Sequence, residues 1–114
     1  MQLSRELIAA STIPLVLSIL QQGDGYGYAL IKEVRELSGD RITWSDGMLY
    51  PVLRRMESQD MISSYWKRAD SGRKRRYYKL EAAGGEELQR LRGQWELVGD
   101  VLQKLWRKED RCSN

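Results

Sequence analysis

Between Leu88 and Leu105 apolar residues recur at a spacing of 3-4-3-4-3: Leu88, Leu91, Trp95, Val98, Leu102 and Leu105. With 3.6 residues per turn, only a helix keeps such an alternation on one stripe. A stripe of this length has to be covered, either by its own domain or by the same stripe of a second chain. The 114 residues allow one domain with one modest core. A helix that follows such a domain is expected to make a homodimer, with those six residues as the dimerisation seam.

The residues ahead of the stripe suggest three short helices. The first runs from Leu3 to about Gln21, and Pro14 makes it either two short helices or one kinked helix. Ser11 or Thr12 would cap the second piece, with Pro14 in its first turn. A second helix spans Tyr26 to Leu37. A third opens at the N-cap Ser45 and continues to about Ser58, with Leu49, Val52, Leu53 and Met56 facing inward. Pro51 predicts an irregular first turn there.

The texture changes after Met61. Ile62–Trp66 and Arg75–Leu80 contain Tyr65, Trp66, Tyr77 and Tyr78, which favour strands, and Ala69-Asp70-Ser71-Gly72 supplies a turn between them. From Glu81 the chain is helical to about Lys108. The organisation expected is a winged helix-turn-helix over residues 1–80, a dimerisation helix over 81–108 and a flexible tail over 109–114. The fold class is mainly α with a small β-hairpin, a winged helix-turn-helix plus a long C-terminal dimerisation helix.

The hairpin is also where the charge lies. Lys67, Arg68, Arg73, Lys74, Arg75, Arg76 and Lys79 are opposed by Asp70 alone, so this stretch carries +6 in a chain of net charge +3. A cationic finger on a mildly acidic body is the footprint of a phosphate-binding element. On the third helix Asp46, Gly47, Tyr50, Arg54 and Arg55 are left facing outward, and an arginine there can bond guanine O6 and N7 in the major groove. Two blander readings stand beside these: an ordinary amphipathic surface helix and a solvated charge run.

Other functions are disfavoured. The chain has no histidine and one cysteine, Cys112, which removes His-dependent nucleophile systems, nearly all zinc constellations and an internal disulfide. No catalytic residue, metal or cofactor is expected. With 31% charged residues and no long apolar run, no membrane span is expected, and without a recognisable signal segment a cytoplasmic location is.

Trp95 is bulky for regular packing in a helical seam. Gly93 and Gly99 leave the helix thin nearby. A gap at the dimer axis between two Trp95 rings could hold a planar aromatic molecule, with cation–π attraction if it is cationic. The alternative is that Trp95 fills the dimer core.

At this point the residues resemble the PadR family of bacterial transcriptional regulators over roughly Glu6 to Leu105. Tyr26-Gly27-Tyr28-Ala29-Leu30 is similar to the family's H-G-Y-x-L segment, with Tyr26 in place of the usual histidine. Leu49-Tyr50-Pro51-Val52-Leu53-Arg54-Arg55-Met56-Glu57 resembles its L-Y-P-x-L-x-R-L-E helix, and Gly72 to Leu80 its G-x-x-R-K-Y-Y-x-L wing. The resemblance implies a homodimeric repressor that binds a palindromic site on double-stranded DNA. Its DNA contacts would be Gly47, Met48, Tyr50, Pro51, Arg54 and Arg55 on the helix, and Lys67, Arg68, Arg73, Lys74, Arg75, Arg76 and Tyr77 on the wing. It also implies a planar, hydrophobic effector at the dimer interface, held by Trp95 with Gly99 and Trp66 nearby. Met48 stands where the family often has Thr or Ser, and Gly99 where the drug-binding members are acidic. A different class of function, a dimeric adaptor whose hairpin binds an acidic protein, is separable by salt titration on DNA.

Overall fold

A computed structural model of the chain describes residues 2–112. Its elements are α1 (Arg5–Gln22), β1 (Gly25–Tyr26), α2 (Gly27–Leu37), α3 (Asp46–Ser58), β2 (Ile62–Arg68), β3 (Lys74–Leu80) and α4 (Ala82–Cys112). The expected order of three helices, hairpin and long helix is present, with one added strand.

Helix α1 is continuous through Pro14. Its N-cap is Ser4, whose Oγ accepts from the Leu7 amide at 3.2 Å. Ser11 and Thr12 start no second helix. Both hydroxyls donate back to the Ile8 carbonyl, at 3.1 and 2.7 Å, inside the turns that precede the proline. Burial of Thr12, Val16, Leu17 and Leu20 along one side offsets the amide that Pro14 lacks.

Gly25 and Tyr26 are extended, paired with Tyr78 and Tyr77, so α2 begins at Gly27 and not at Tyr26. The hairpin is therefore the larger part of a three-stranded antiparallel sheet of order β1-β3-β2. Its register pairs Ile62 with Leu80 and Arg68 with Lys74, which lengthens both wing strands beyond the expected ends. Across the turn, the Ala69 amide donates to the Arg73 carbonyl at 2.8 Å, and Gly72 takes a left-handed φ of 86°.

Ser45 caps α3, its Oγ accepting from the Met48 amide at 3.1 Å. Pro51 lies inside a helix whose first turn is regular, with the Leu49 amide donating to the Ser45 carbonyl at 2.9 Å. At the far end Asp60 is left-handed (φ 60°) and the Met61 amide donates to the Met56 carbonyl at 3.1 Å, which turns the chain directly into β2. The core joins Val16, Leu17 and Leu20 of α1 and Leu30 and Val34 of α2 to Leu49, Leu53 and Met56 of α3. Ile62 and Tyr78 close it from the sheet and Leu88 from α4.

Helix α4 leaves this core as it proceeds. Leu88 is 5% exposed and Leu91 half-buried, but Val98, Leu102 and Leu105 are 59%, 38% and 57% exposed. The expected seam therefore divides. Leu88 belongs to its own domain's core, which corrects its assignment to a dimer contact, and the uncovered part begins near Trp95. The helix also continues to Cys112, past the tail expected from 109; residues 113 and 114 lie outside the described residues.

Candidate nucleic-acid interface

Burial of Leu49, Leu53 and Met56 fixes how α3 is rotated. At 100° per residue, Gly47, Pro51 and Arg54 form the ridge opposite the core, and all three are exposed. Tyr50 falls on one flank of that ridge; Met48 and Val52 fall on the other, with Arg55 between them and the ridge. Met48 is half-buried, packed on the core and facing α1, which removes it from the reading face where it was expected. Tyr50 is 37% exposed and its phenol lies over Gly27, where any Cβ would collide with the ring. The glycine of the Tyr-Gly-Tyr segment thus makes room for a side chain of α3.

On the Tyr50 flank the wing closes a groove of about 510 Å³, lined by Tyr28, Tyr50, Trp66 and the run from Arg73 to Arg76. The wing is held on both of its faces. On the α3 side, Ser64 Oγ donates to Glu57 Oε2 at 2.8 Å and accepts from Arg76 Nε at 2.9 Å. Arg76 Nη2 closes the ring on Glu57 Oε1 at 3.2 Å. On the opposite face Tyr65 stacks on Tyr77 at 5.8 Å, and Tyr26 meets Tyr77 edge-on at 5.3 Å. The Arg75 guanidinium lies 4.4 Å over the Tyr26 ring. Tyr65 donates its hydroxyl to Asp24 Oδ2 at 2.6 Å, and that bond raises the phenol above its ordinary range.

These contacts divide the expected DNA contacts into two kinds. Arg76 is paired with Glu57 and Tyr77 is enclosed by two other tyrosines, so both position the wing rather than present themselves at its tip. Arg68, Arg73 and Lys74 are exposed at the tip with no carboxylate partner among the described residues. Lys67 lies 5.4 Å from the Tyr77 ring and is likewise exposed. Glu57, Ser64, Asp24, Tyr26 and Tyr65 were not among the candidates. The turn at Ala69–Gly72 contained the signal: it sets Ser64 opposite Tyr78 and Trp66 opposite Arg76, hence Ser64 and Arg76 on one face.

The latch makes a prediction. Glu57→Gln should leave the fold intact, because the group is only half-buried and the amide is of the same shape, but free the wing to swing and so weaken duplex binding by about tenfold. The combined variant Glu57→Arg/Arg76→Glu should recover most of that loss. Unchanged affinity of Glu57→Gln in a fluorescence anisotropy titration would show that the latch does not set the wing.

Trp66 and Trp95, expected together, line different cavities of the chain. Trp66 is 66% exposed and sits in the wing groove. Trp95 is 41% exposed and lies over an apolar cleft of about 320 Å³ with Leu7, Pro14, Leu15 and Ile42. Gly99 is half-buried, and no atom lies within 4 Å of where its Cβ would stand. Among the described residues no group of His, Cys, Asp and Glu is arranged to hold a metal, and no helix is long and apolar enough to cross a membrane.

Comparison with known proteins agrees with this architecture. The profile of the Transcriptional regulator PadR-like family matches residues 16–90. The chain is 32% identical over 88 residues to the transcriptional regulator YqjI of Escherichia coli, covering 77% of this chain and 41% of that longer protein. Among solved structures, a PadR family transcriptional regulator from Eggerthella lenta shares 35% identity at a TM-score of 0.75, over 88% of this chain and 85% of that one. A transcriptional regulator from Clostridium thermocellum superposes at a TM-score of 0.80 with 27% identity, over 90% of this chain and 96% of that one.

Proposed function

Because the chain belongs to the PadR-like family of transcriptional regulators, DNA-binding proteins and not enzymes, we propose that it works as a homodimeric repressor that reads a two-fold DNA site. The observation that carries this reading is the wing groove: Tyr50, on the flank of the ridge Gly47, Pro51 and Arg54, lines it together with Arg73 and Lys74, which are exposed and have no carboxylate partner among the described residues. The ridge enters the major groove, where Arg54 contacts base edges, and the wing tip lies along phosphates. The chain up to residue 80, with the first turns of α4 that bring Leu88 into the core, forms the reading domain. The distal half of α4, with Val98, Leu102 and Leu105, pairs with its copy so that two readers lie on one duplex.

A second part of this reading concerns an effector. Trp95 roofs an apolar cleft against Pro14 and Leu15 at the point where α4 leaves the core. A planar aromatic molecule, stacked there and covered by a second chain, would couple its own binding to the angle between the two readers. Trp95→Ala should stay dimeric and bind a planar aromatic cation such as acridine orange about tenfold or more weakly. Equal affinities of variant and parent by calorimetry would eliminate Trp95 as the stacking surface. Operator binding with and without the dye reads the coupling directly.

A further inference from the structure

On the flank of α3 away from the wing, a cleft of about 390 Å³ separates α1 from the reader helix. Its floor is apolar, with Ile8 and Ile13 of α1 and Met48 and Val52 of α3, but two arginines line it: Arg5 and Arg55. Both are exposed, and neither is paired with a carboxylate among the described residues. Arginines 35, 76, 90 and 92, by contrast, each have an acidic partner. Two unpaired guanidinium groups on one cleft repel each other unless an anion sits with them. Arg5 is moreover in the first turn of α1, where the helix dipole disfavours a cation. Local stability therefore does not account for it.

The position of the cleft says which anion fits. A helix lying in a major groove about 12 Å wide faces one phosphate strand along each flank. The wing provides cations for the strand on the Tyr50 side. The other strand would meet Arg55 and, behind it, Arg5. We propose that Arg5 and Arg55 form a second phosphate-binding site, which grips the backbone across the groove from the wing and extends the contact surface onto α1. This rests on α3 being the reader helix, and its ligand is the DNA phosphodiester rather than a free carboxylate.

The test is an anisotropy titration of the full chain on its own upstream duplex over about 50–200 mM salt. Arg5→Gln should lower affinity evenly across sequence variants and make the slope of log K against log salt shallower by about 0.9 for each Arg5 removed. Arg5→Lys should keep the slope, and so should Arg92→Gln, which makes the same charge change on α4. The proposal is overturned if Arg5→Gln keeps the parental slope, if Arg92→Gln flattens it equally, or if the loss is confined to particular base pairs. A wing variant, Arg73→Gln with Lys74→Gln, separates the two levels. A flattened slope in the wing variant alone rejects the α1 site, whereas no loss in either variant rejects the DNA interface as a whole.

Discussion

Leu102→Glu with Leu105→Glu should give a folded monomer whose affinity for the two-fold DNA site is at least about 100-fold below the parent's. Neither residue touches the core; they are 38% and 57% exposed on a helix that has already left it. Val98, Val101 and Trp106 are exposed alongside them, at 59%, 47% and 50%. Covering such a strip with its copy removes side chains worth roughly 1.5–3 kcal/mol each when fully buried. Two glutamates per chain would put four carboxylates into that seam, where each has to be desolvated without a partner. The penalty falls on association and not on folding. A monomer keeps one reader and one wing, and so loses the gain of linked half-sites, which is on the order of 10²–10⁴ in affinity. Light scattering and anisotropy on one preparation check both halves. A variant that remains dimeric, or a monomer that binds as the parent does, contradicts the account.

The second large effect is on stability. Gly84 is buried at the start of α4, where a Cβ would run into the backbone carbonyl of Met61 and come within 2.7 Å of Leu80 Cδ1. That carbonyl also accepts from the Glu81 amide at 3.0 Å, so it cannot turn aside without breaking the junction of sheet and helix. Gly84→Ala should therefore cost about 3 kcal/mol, by the overpacking rule, and lower Tm by roughly 10–20 °C. Gly85, one residue on, has nothing within 4 Å of the same position. Gly85→Ala should raise stability by up to about 1 kcal/mol through helix propensity alone. Opposite signs at adjacent glycines, read by thermal melting, are the expected result. A Gly84→Ala protein that melts with the parent would mean that α4 does not seat against Met61 as described.

Much of the architecture was legible because local chemistry and tertiary packing agree. Ser45 caps α3, the Leu49-Leu53-Met56 face is buried, and the aromatic strands pair about the Ala69–Gly72 turn. What was not legible depends on partners far away in sequence. Two extended residues leave no periodic signal, so β1 is visible only through its pairing with Tyr77 and Tyr78. Arg76 looks like any other basic residue of its run until the register places it over Glu57. The 3-4 spacing of α4 marks a continuous stripe, but it carries no information about where a straight helix departs from a rounded core. Leu88 and Leu105 are equivalent in the pattern and opposite in environment. Pro14 left one helix or two open for a related reason: the lost backbone bond is local, whereas the burial of Val16, Leu17 and Leu20 that keeps the helix continuous through it is not.

A hydroxyl-radical footprint of the protein on its own upstream duplex tests the central claim most directly. Two protected patches should appear, related by a two-fold axis and centred about one helical turn, or a whole multiple of it, apart. Both should vanish together with the Leu102/Leu105 variant. A single protected patch, or protection that survives unchanged when the α4 seam is broken, would contradict paired readers on one duplex.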